Sequence, residues 1–569
     1  MAQSHEFRMP EWIGSPLAPI AAMADASSLR VQNHRTDRDL SRLTKTLCTL
    51  EQALHPGMDL GVPQLDWCQS HVQPHRAEAS NVPPQVRMAV PSASSLFGSS
   101  RTSSAASTAT ELSAFASSEA LDPQLQRFLE EASARLCEWL GSASKRSPLP
   151  ALRLLPEAFP EPQGVGADRL LDDLQQLMDG AYQPNHPGAL AHLDPPPNTA
   201  SIAAELICAG LNNNLLAEEL SPSLSQLERQ LCSWFAARFE LPDGAGGVAA
   251  SGGSLSNLTA LVTARHRMGL DHDPNAVILI SDDAHVSLEK AARVMGLGPD
   301  GVRRVPVDSQ GCMLISDLQE HLQELKQHNR PCIAVVATAG TTVRGAIDPI
   351  PALAEFCKDQ GLWLHVDGAI GAVFALCPGT ANLMAGLGQA DSITVNPQKL
   401  LGIAKTSSLL LVREQSALQD TFHTGLPYME PAFAVAHGGE LGLQGSRPAE
   451  ILKLWLGLRQ LGEQGINAVL EQAVLRRQRL QQGLDSSALE ITTGPLHLLA
   501  CAPLGADPSH CDHWTAAVRQ RLLDRQIMVS RPVHQGRHRI KVVLGNPHTS
   551  NALIDQLAAD LNDCSREMV

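Results

Sequence analysis

Between Ala276 and Val412 the chain sets five short, nearly unbroken apolar runs among helical stretches, and no other feature restricts its fold as strongly. The runs are AVILIS at 276–281, CIAVVATAG at 332–340, WLHVDGA at 363–369, SITVNP at 392–397 and SSLLLV at 407–412. Strands without polar alternation are covered on both faces, so the pattern predicts an α/β unit with a mainly parallel sheet between helices. Residues 449–483 read as one or two long helices. Strand-like runs follow at 489–493, 497–502, 526–529 and 538–543, then a helix at 550–562. This tail is expected to form a smaller α+β C-terminal domain.

Upstream, 123–140 has helical periodicity. Residues 92–118 are dominated by Ser, Ala and Thr with almost no charge. Such a stretch buries too little apolar surface to offset the entropy of ordering it. The expected divisions are therefore a largely disordered or low-complexity extension over 1–120, a helical segment over 121–185, a large domain over 186–447 and the C-terminal domain over 448–569. Within the extension, Leu40, Leu43, Leu47 and Leu50 mark one short helix over 37–54.

The formal charge of −15 lacks the electrostatic footprint of a nucleic-acid binder. No apolar stretch is long enough to span a bilayer, and the N-terminal residues do not read as a secretory signal. The twelve cysteines are scattered without a C-x-x-C pair. They read as buried hydrophobes in a reducing cytoplasm, with neither a disulfide frame nor a metal site.

Chemistry-bearing residues gather at strand ends. Ser251-Gly252-Gly253-Ser254 opens a helix and offers backbone N–H groups to an anion; an ordinary Gly-rich turn reads the same. Asp367 ends the WLHVD run, where a carboxylate could keep a ring nitrogen protonated or merely cap a turn. Lys399 follows the SITVNP run, either desolvated for C=N chemistry or simply solvated. His285 follows AVILIS, to stack on a ring or to sit as a satisfied loop histidine. The Thr338–Thr342 turn adds hydroxyls. Each is weak alone. Together they supply what a phosphorylated pyridine aldehyde requires.

The order of these motifs resembles the group II pyridoxal-phosphate-dependent amino-acid decarboxylases, which include the glutamate, aromatic-amino-acid, cysteine-sulfinate and 2,4-diaminobutyrate enzymes. The resemblance runs from about Leu121 to the C-terminus. It covers HPGALAHLDPPPNTAS at 186–201, ELSPSLSQLER at 219–229, SGGSLSNLTAL at 251–261, DDAHVSLEKAARVMGL at 282–297, ATAGTTVRGAIDPI at 337–350, HVDGAIGA at 365–372, NPQK at 396–399 and GLQGSRPAEILKLW at 442–455. It implies an aspartate-aminotransferase-type fold and a homodimer with active sites at the interface.

The resemblance also implies roles. Lys399 would hold pyridoxal 5'-phosphate as a Schiff base, Asp367 would partner the ring nitrogen with Ala369 near the ring, and His285 would stack on it. Gly253, Ser254, Asn396 and Gln398 would contact phosphate, and Thr341 would lie near the ring hydroxyl or Asp367. His192 would border the substrate pocket. Arg447 is a candidate carboxylate partner or one half of a surface or interface salt bridge. Asp194 could meet a second amino group or be a turn residue. A diamino or acidic aliphatic amino acid is expected as substrate.

The sequence departs from the family at three places. Gln398 replaces the usual His, HVDGA replaces the commoner HVDAA, and the mobile-loop Tyr that reprotonates the carbanion in many members is missing. Tyr428 looks like an earlier, non-catalytic Tyr of the family, leaving His437 as the obvious proton donor there. The alternatives to decarboxylation are aldehyde-forming oxidative deamination, aminotransfer, or a non-catalytic protein on the same fold.

Overall fold

The computed structural model describes residues 112–425 and 436–567, all within one compact unit, Ser104–Val569. The expected extension up to residue 111, its helix at 37–54, and Tyr428 lie outside the described residues.

Four helices come first: α1 (Pro123–Gly141), α2 (Ala167–Asp179), α3 (Thr199–Leu211) and α4 (Pro222–Arg238). The start of α1 is set by Asp122, whose carboxylate accepts from Gln124 N and Leu125 N, with Pro123 at the first helical position. Strands and helices then alternate: β1 (Gly246–Ala250), α5 (Gly253–Arg267), β2 (Val277–Ser281), α6 (Ser287–Val294), β3 (Val302–Val305), α7 (Ile315–Gln327), β4 (Cys332–Thr338), α8 (Ile350–Gln360), β5 (Trp363–Gly368), β6 (Ser392–Val395), β7 (Ser408–Val412) and α9 (Ser416–Phe422).

The seven strands form one sheet in the order β1-β7-β6-β5-β4-β2-β3. Only β7 runs antiparallel to its neighbours, β1 and β6. All five apolar runs are strands of this sheet, and their residues divide between its faces with period two. Val277, Leu279, Val335 and Ala337 join the larger core, while Ile278, Ile280, Ala334 and Val336 pack with Leu261 and Ala264 of α5 on the other face.

The long helix α10 (Ile451–Gly483) is interrupted at Gly462, where φ is 61° and ψ 177°. Leu454 before the break and Ile466 and Leu470 after it join the larger core, and the end of the helix supplies Leu480 to a second one. Around that second core lie β8 (Leu489–Thr493), β9 (Leu498–Pro503), α11 (Pro508–Asp524), β10 (Val533–His534), β11 (Arg537–His538), β12 (Ile540–Val543) and α12 (Asn551–Glu567). The sheet here is antiparallel, β12-β9-β8. The run at 526–529 is not a strand of it. Met528 N donates to Gly188 O at 2.8 Å and Leu190 N donates to Met528 O at 2.9 Å, so this backbone is satisfied by the HPGAL segment.

One buried carboxyl braces the sheet end next to the site. Asp348 accepts from Met313 N and from Thr338 N, each at 2.7 Å. Burial pushes its pKa up to about 7, against the lowering effect of those two N–H groups. A carboxyl with a folded pKa above its unfolded value favours folding while protonated. Its contribution is present below about pH 4 and is lost as pH rises through about 7. Asp348→Asn turns an amide NH₂ toward one of the two donors and is expected to cost about 1–3 kcal/mol. Urea unfolding at several pH values should show that loss together with a flatter stability profile between pH 4 and 7.

Candidate active site

The carboxyl ends of the parallel strands surround a cavity of about 260 Å³. At one end, Gly252 and Gly253 open α5 with Ser254, facing Asn396 and Gln398. Gly252 has φ of 92°, in the left-handed half of the map that favours glycine. A Cβ on Gly253 would stand 2.7 Å from Asn396 Nδ2, so only glycine lets the turn and the amide approach. Asn396 Oδ1 accepts from Ser408 Oγ at 2.5 Å, and Gln398 Oε1 accepts from Ser407 N at 2.6 Å. Each amide is thereby oriented through its oxygen, which leaves its NH₂ for an anion.

Asp367, on β5, lines the same cavity. Its Oδ2 accepts from Asn257 Nδ2 at 2.8 Å and its Oδ1 from Ala369 N at 3.2 Å. Behind it runs a polar chain whose protons have one consistent direction. Trp363 Nε1 donates to Ser392 Oγ at 2.9 Å, and the Ser392 hydroxyl lies 2.8 Å from His365 Nδ1. His365 Nε2 is 3.1 Å from Asn257 Oδ1, and Asn257 Nδ2 also donates to Ser287 Oγ at 3.0 Å. Ser287 Oγ in turn lies 2.8 Å from His285 Nδ1. This network assigns the proton to Nε2 on both histidines. Burial pushes the pKa of His365 down to about 4, against the pull of the Asp367 charge, so the ring in this chain is neutral.

His285 lines the cavity, and its outer side is open to solvent. Burial of its inner side lowers its pKa against the opposing charge of Asp367. Lys399 lines the same cavity. Burial lowers its pKa too, more than the charges of Asp367 and Asp194 raise it. A lowered lysine pKa makes the neutral, nucleophilic amine more available.

Gly253, Ser254, His285, Asp367, Ala369, Asn396, Gln398 and Lys399 therefore meet in one place. Others do not. Thr341 lies outside the cavity lining, because its Oγ1 is turned inward to accept from Ala346 N at 3.1 Å. Thr338, at the end of β4, takes the lining position, and its hydroxyl has no partner among the described residues. Arg447 is spent elsewhere. It grips Glu228 through both terminal nitrogens, at 2.6 and 3.1 Å, and donates to Leu215 O and Ala249 O. Both terminal nitrogens are spent on this buried structural pair, and Nε, without a partner among the described residues, is itself buried and does not line the cavity. His437 is buried and does not line the cavity.

His192 lies on an adjoining cleft with Asp194, Leu400 and His497. Asp194 pairs with Lys405 Nζ at 2.8 Å. Asn257 and Ser287, which hold Asp367 and His285, and Lys541 nearby are not marked as site residues by any motif in the sequence. A signal existed for the first: Asn257 stands one turn after Gly253 in a helix interior that asparagine does not favour. Lys541, on β12, has its pKa pushed down to about 8, first by burial and then by the charge of Lys399, with Asp194 opposing. Its ammonium has no hydrogen bond or ion pair among the described residues.

An anion cradle, a carboxylate, a flat-ring face and a desolvated amine fit a phosphorylated pyridine aldehyde. The conserved domain of pyridoxal-dependent decarboxylases matches residues 148–500. The chain belongs to that family. The decarboxylase is 29% identical over 425 residues to an L-2,4-diaminobutyrate decarboxylase of Rhizobium meliloti (strain 1021), covering 73% of this chain and 86% of the relative. It is 30% identical over 383 residues to a rat cysteine sulfinic acid decarboxylase, covering 65% and 76%. The crystal structure of mouse CSAD in apo form superposes with a TM-score of 0.72 at 25% identity, over 78% of this chain and 99% of that one. The enzyme is thus a pyridoxal-phosphate-dependent amino-acid carboxy-lyase. A Rhodiola rosea 4-hydroxyphenylacetaldehyde synthase shares the fold, with a TM-score of 0.71 at 21% identity. The fold by itself therefore does not separate decarboxylation from aldehyde formation. No helix among the described residues is long and apolar enough to cross a membrane.

Proposed function

We propose that this decarboxylase acts on a diamino or acidic aliphatic amino acid, with Lys399 as the amine that holds the cofactor. The observation that carries the reading is the convergence of Lys399, Asp367, His285 and the Gly252–Gly253 turn on one cavity. Bound there, pyridoxal phosphate supplies an electron sink for the bond pair released when the carboxylate departs. Gly253, Ser254, Asn396 and Gln398 hold the phosphate. Asp367, fixed by Asn257 and Ala369, keeps the ring nitrogen protonated. His285, fixed by Ser287, covers one ring face.

Lys541 anchors the substrate carboxylate, because it is the cation beside Lys399 that no acidic group neutralises at contact distance. Next to it the Asp194–Lys405 pair can meet either an amine or an acid on the substrate side chain. Among the described residues the cavity lining contains no Phe, Tyr or Trp, which disfavours an aromatic substrate. Carbon dioxide release should be measured across the standard amino acids, 2,4-diaminobutyrate, ornithine and cysteine sulfinate. The best diamino or acidic aliphatic substrate is expected to exceed phenylalanine and tryptophan in kcat/KM by about tenfold or more, the yield of roughly 1.4 kcal/mol of discrimination. A preference for the aromatic pair would overturn the substrate assignment.

Lys541→Met is expected to raise KM about 100-fold, the cost of leaving a buried carboxylate unpaired. The ammonium must be charged to bind, so kcat/KM should fall as pH rises through about 8. Lys541→Arg, whose guanidinium stays protonated, should carry the activity to higher pH. An unchanged alkaline limb in that variant would remove Lys541 from the role.

The apolar exposure of α3, with Leu206 at 46%, Ile207 at 52% and Leu211 at 49%, supports a homodimer. Val286, 60% exposed beside His285, supports an interface that reaches the site. A cytoplasmic setting fits the described cysteines, all of which are free.

A further inference from the structure

We propose that Asp283, Arg344 and His534 form a clasp that positions His285, tying the C-terminal lobe to the wall of the cavity. This rests on the assignment of His285 to the ring face. The three residues come from separate parts of the chain: the turn after β2, the turn after β4 and the hairpin strand β10. His534 Nε2 lies 3.0 Å from Asp283 Oδ1, and Arg344 Nε lies 3.1 Å from Asp283 Oδ2. Arg344 Nη2 is 3.3 Å from the same histidine nitrogen, so the imidazole is wedged between carboxylate and guanidinium. Arg344 Nη1 also donates to Ser309 O at 3.3 Å. Exposure of the three side chains is 10%, 4% and 7%, so solvent screens the cluster little. Burial alone would push the Asp283 carboxyl up; His534 and Arg344 outweigh it and hold it below its usual range.

The position of the clasp gives it a function. Asp283 stands two residues before His285, and Arg344 two residues after Thr342, and both His285 and Thr342 line the cavity. On its other side, His285 is held through Nδ1 by the hydroxyl and the backbone N–H of Ser287, at 2.8 and 3.2 Å. The ring is thus fixed from both ends of its turn, and the N-terminal fixing point is supplied by the C-terminal lobe. That lobe also carries Lys541. The clasp therefore holds the carboxylate anchor and the ring-covering histidine in one register. These are positioning residues, and none of them lines the cavity.

The test is a double-mutant cycle on the full chain, read as the dissociation constant of pyridoxal phosphate by quenching of tryptophan fluorescence. His534→Ala is expected to weaken binding about tenfold. In a His285→Ala background the same change should weaken it by about twofold or less, because the group being positioned is gone. His534→Gln, whose amide N–H still reaches Asp283, should recover most of the affinity. Equal effects of His534→Ala with and without His285, or no effect at all, would overturn the clasp. If His534→Ala does not fold, Asp283→Asn replaces it in the same cycle. An unmodified chain that binds no pyridoxal phosphate would overturn the proposed function as well, whereas normal binding with an additive cycle would overturn the clasp alone.

Discussion

Replacing Lys399 by alanine is expected to lower carbon dioxide release by on the order of 10⁴-fold, because among the described residues no second amine lines the cavity to take its place. Lys399→Arg should be equally inactive. An arginine keeps the positive charge, but its guanidinium is not a nucleophilic amine. Both variants should still retain cofactor weakly, since the cradle of Gly253, Ser254, Asn396 and Gln398 is untouched. Single-turnover release of labelled carbon dioxide is the measurement that checks this. Activity within tenfold of the unmodified enzyme would remove Lys399 from the reaction.

Asp367→Asn is the second large effect, expected at about 10³-fold in kcat. The amide carries no charge with which to keep a ring nitrogen protonated. It also brings an NH₂ group to a carboxylate site where both oxygens already accept, from Asn257 Nδ2 and from Ala369 N. One of those donors must lose its acceptor, so some stability is lost as well. Steady-state kinetics combined with thermal melting separates the two consequences. A variant that melts lower but turns over normally would show that the carboxylate only builds the site.

Much of the fold can be read from the chain because a sheet covered on both faces writes itself as apolar runs. β2, β4, β5, β6 and β7 are such runs. β1 was hidden by its composition, GGVAA, since glycine carries no β preference. β3, with Arg303 and Arg304 at its centre, lies at the sheet edge, where one side is free and polar residues are tolerated. The site is legible to the extent that its residues stand at strand ends, as Asp367 and Lys399 do.

Residues recruited from other elements carried no such sign. Lys541, the proposed carboxylate anchor, sits on a C-terminal strand far along the chain, and Asn257 is one polar position within a helix. Thr341 and Thr338 show the finer limit. The TAGTT motif marks a hydroxyl-bearing turn, but which hydroxyl faces inward depends on where β4 ends and the turn folds back. Arg447 shows another: whether an arginine is free for a ligand depends on Glu228, more than two hundred residues away.

Reduction of the cofactor-loaded enzyme with borohydride, followed by peptide mapping, asks most directly which side chain meets the aldehyde. The phosphopyridoxyl group should be recovered on the peptide containing Lys399, at one per chain. Recovery on Lys541 or Lys405, or a loaded enzyme that takes no label, would contradict the assignment of the cavity and of the chemistry built on it.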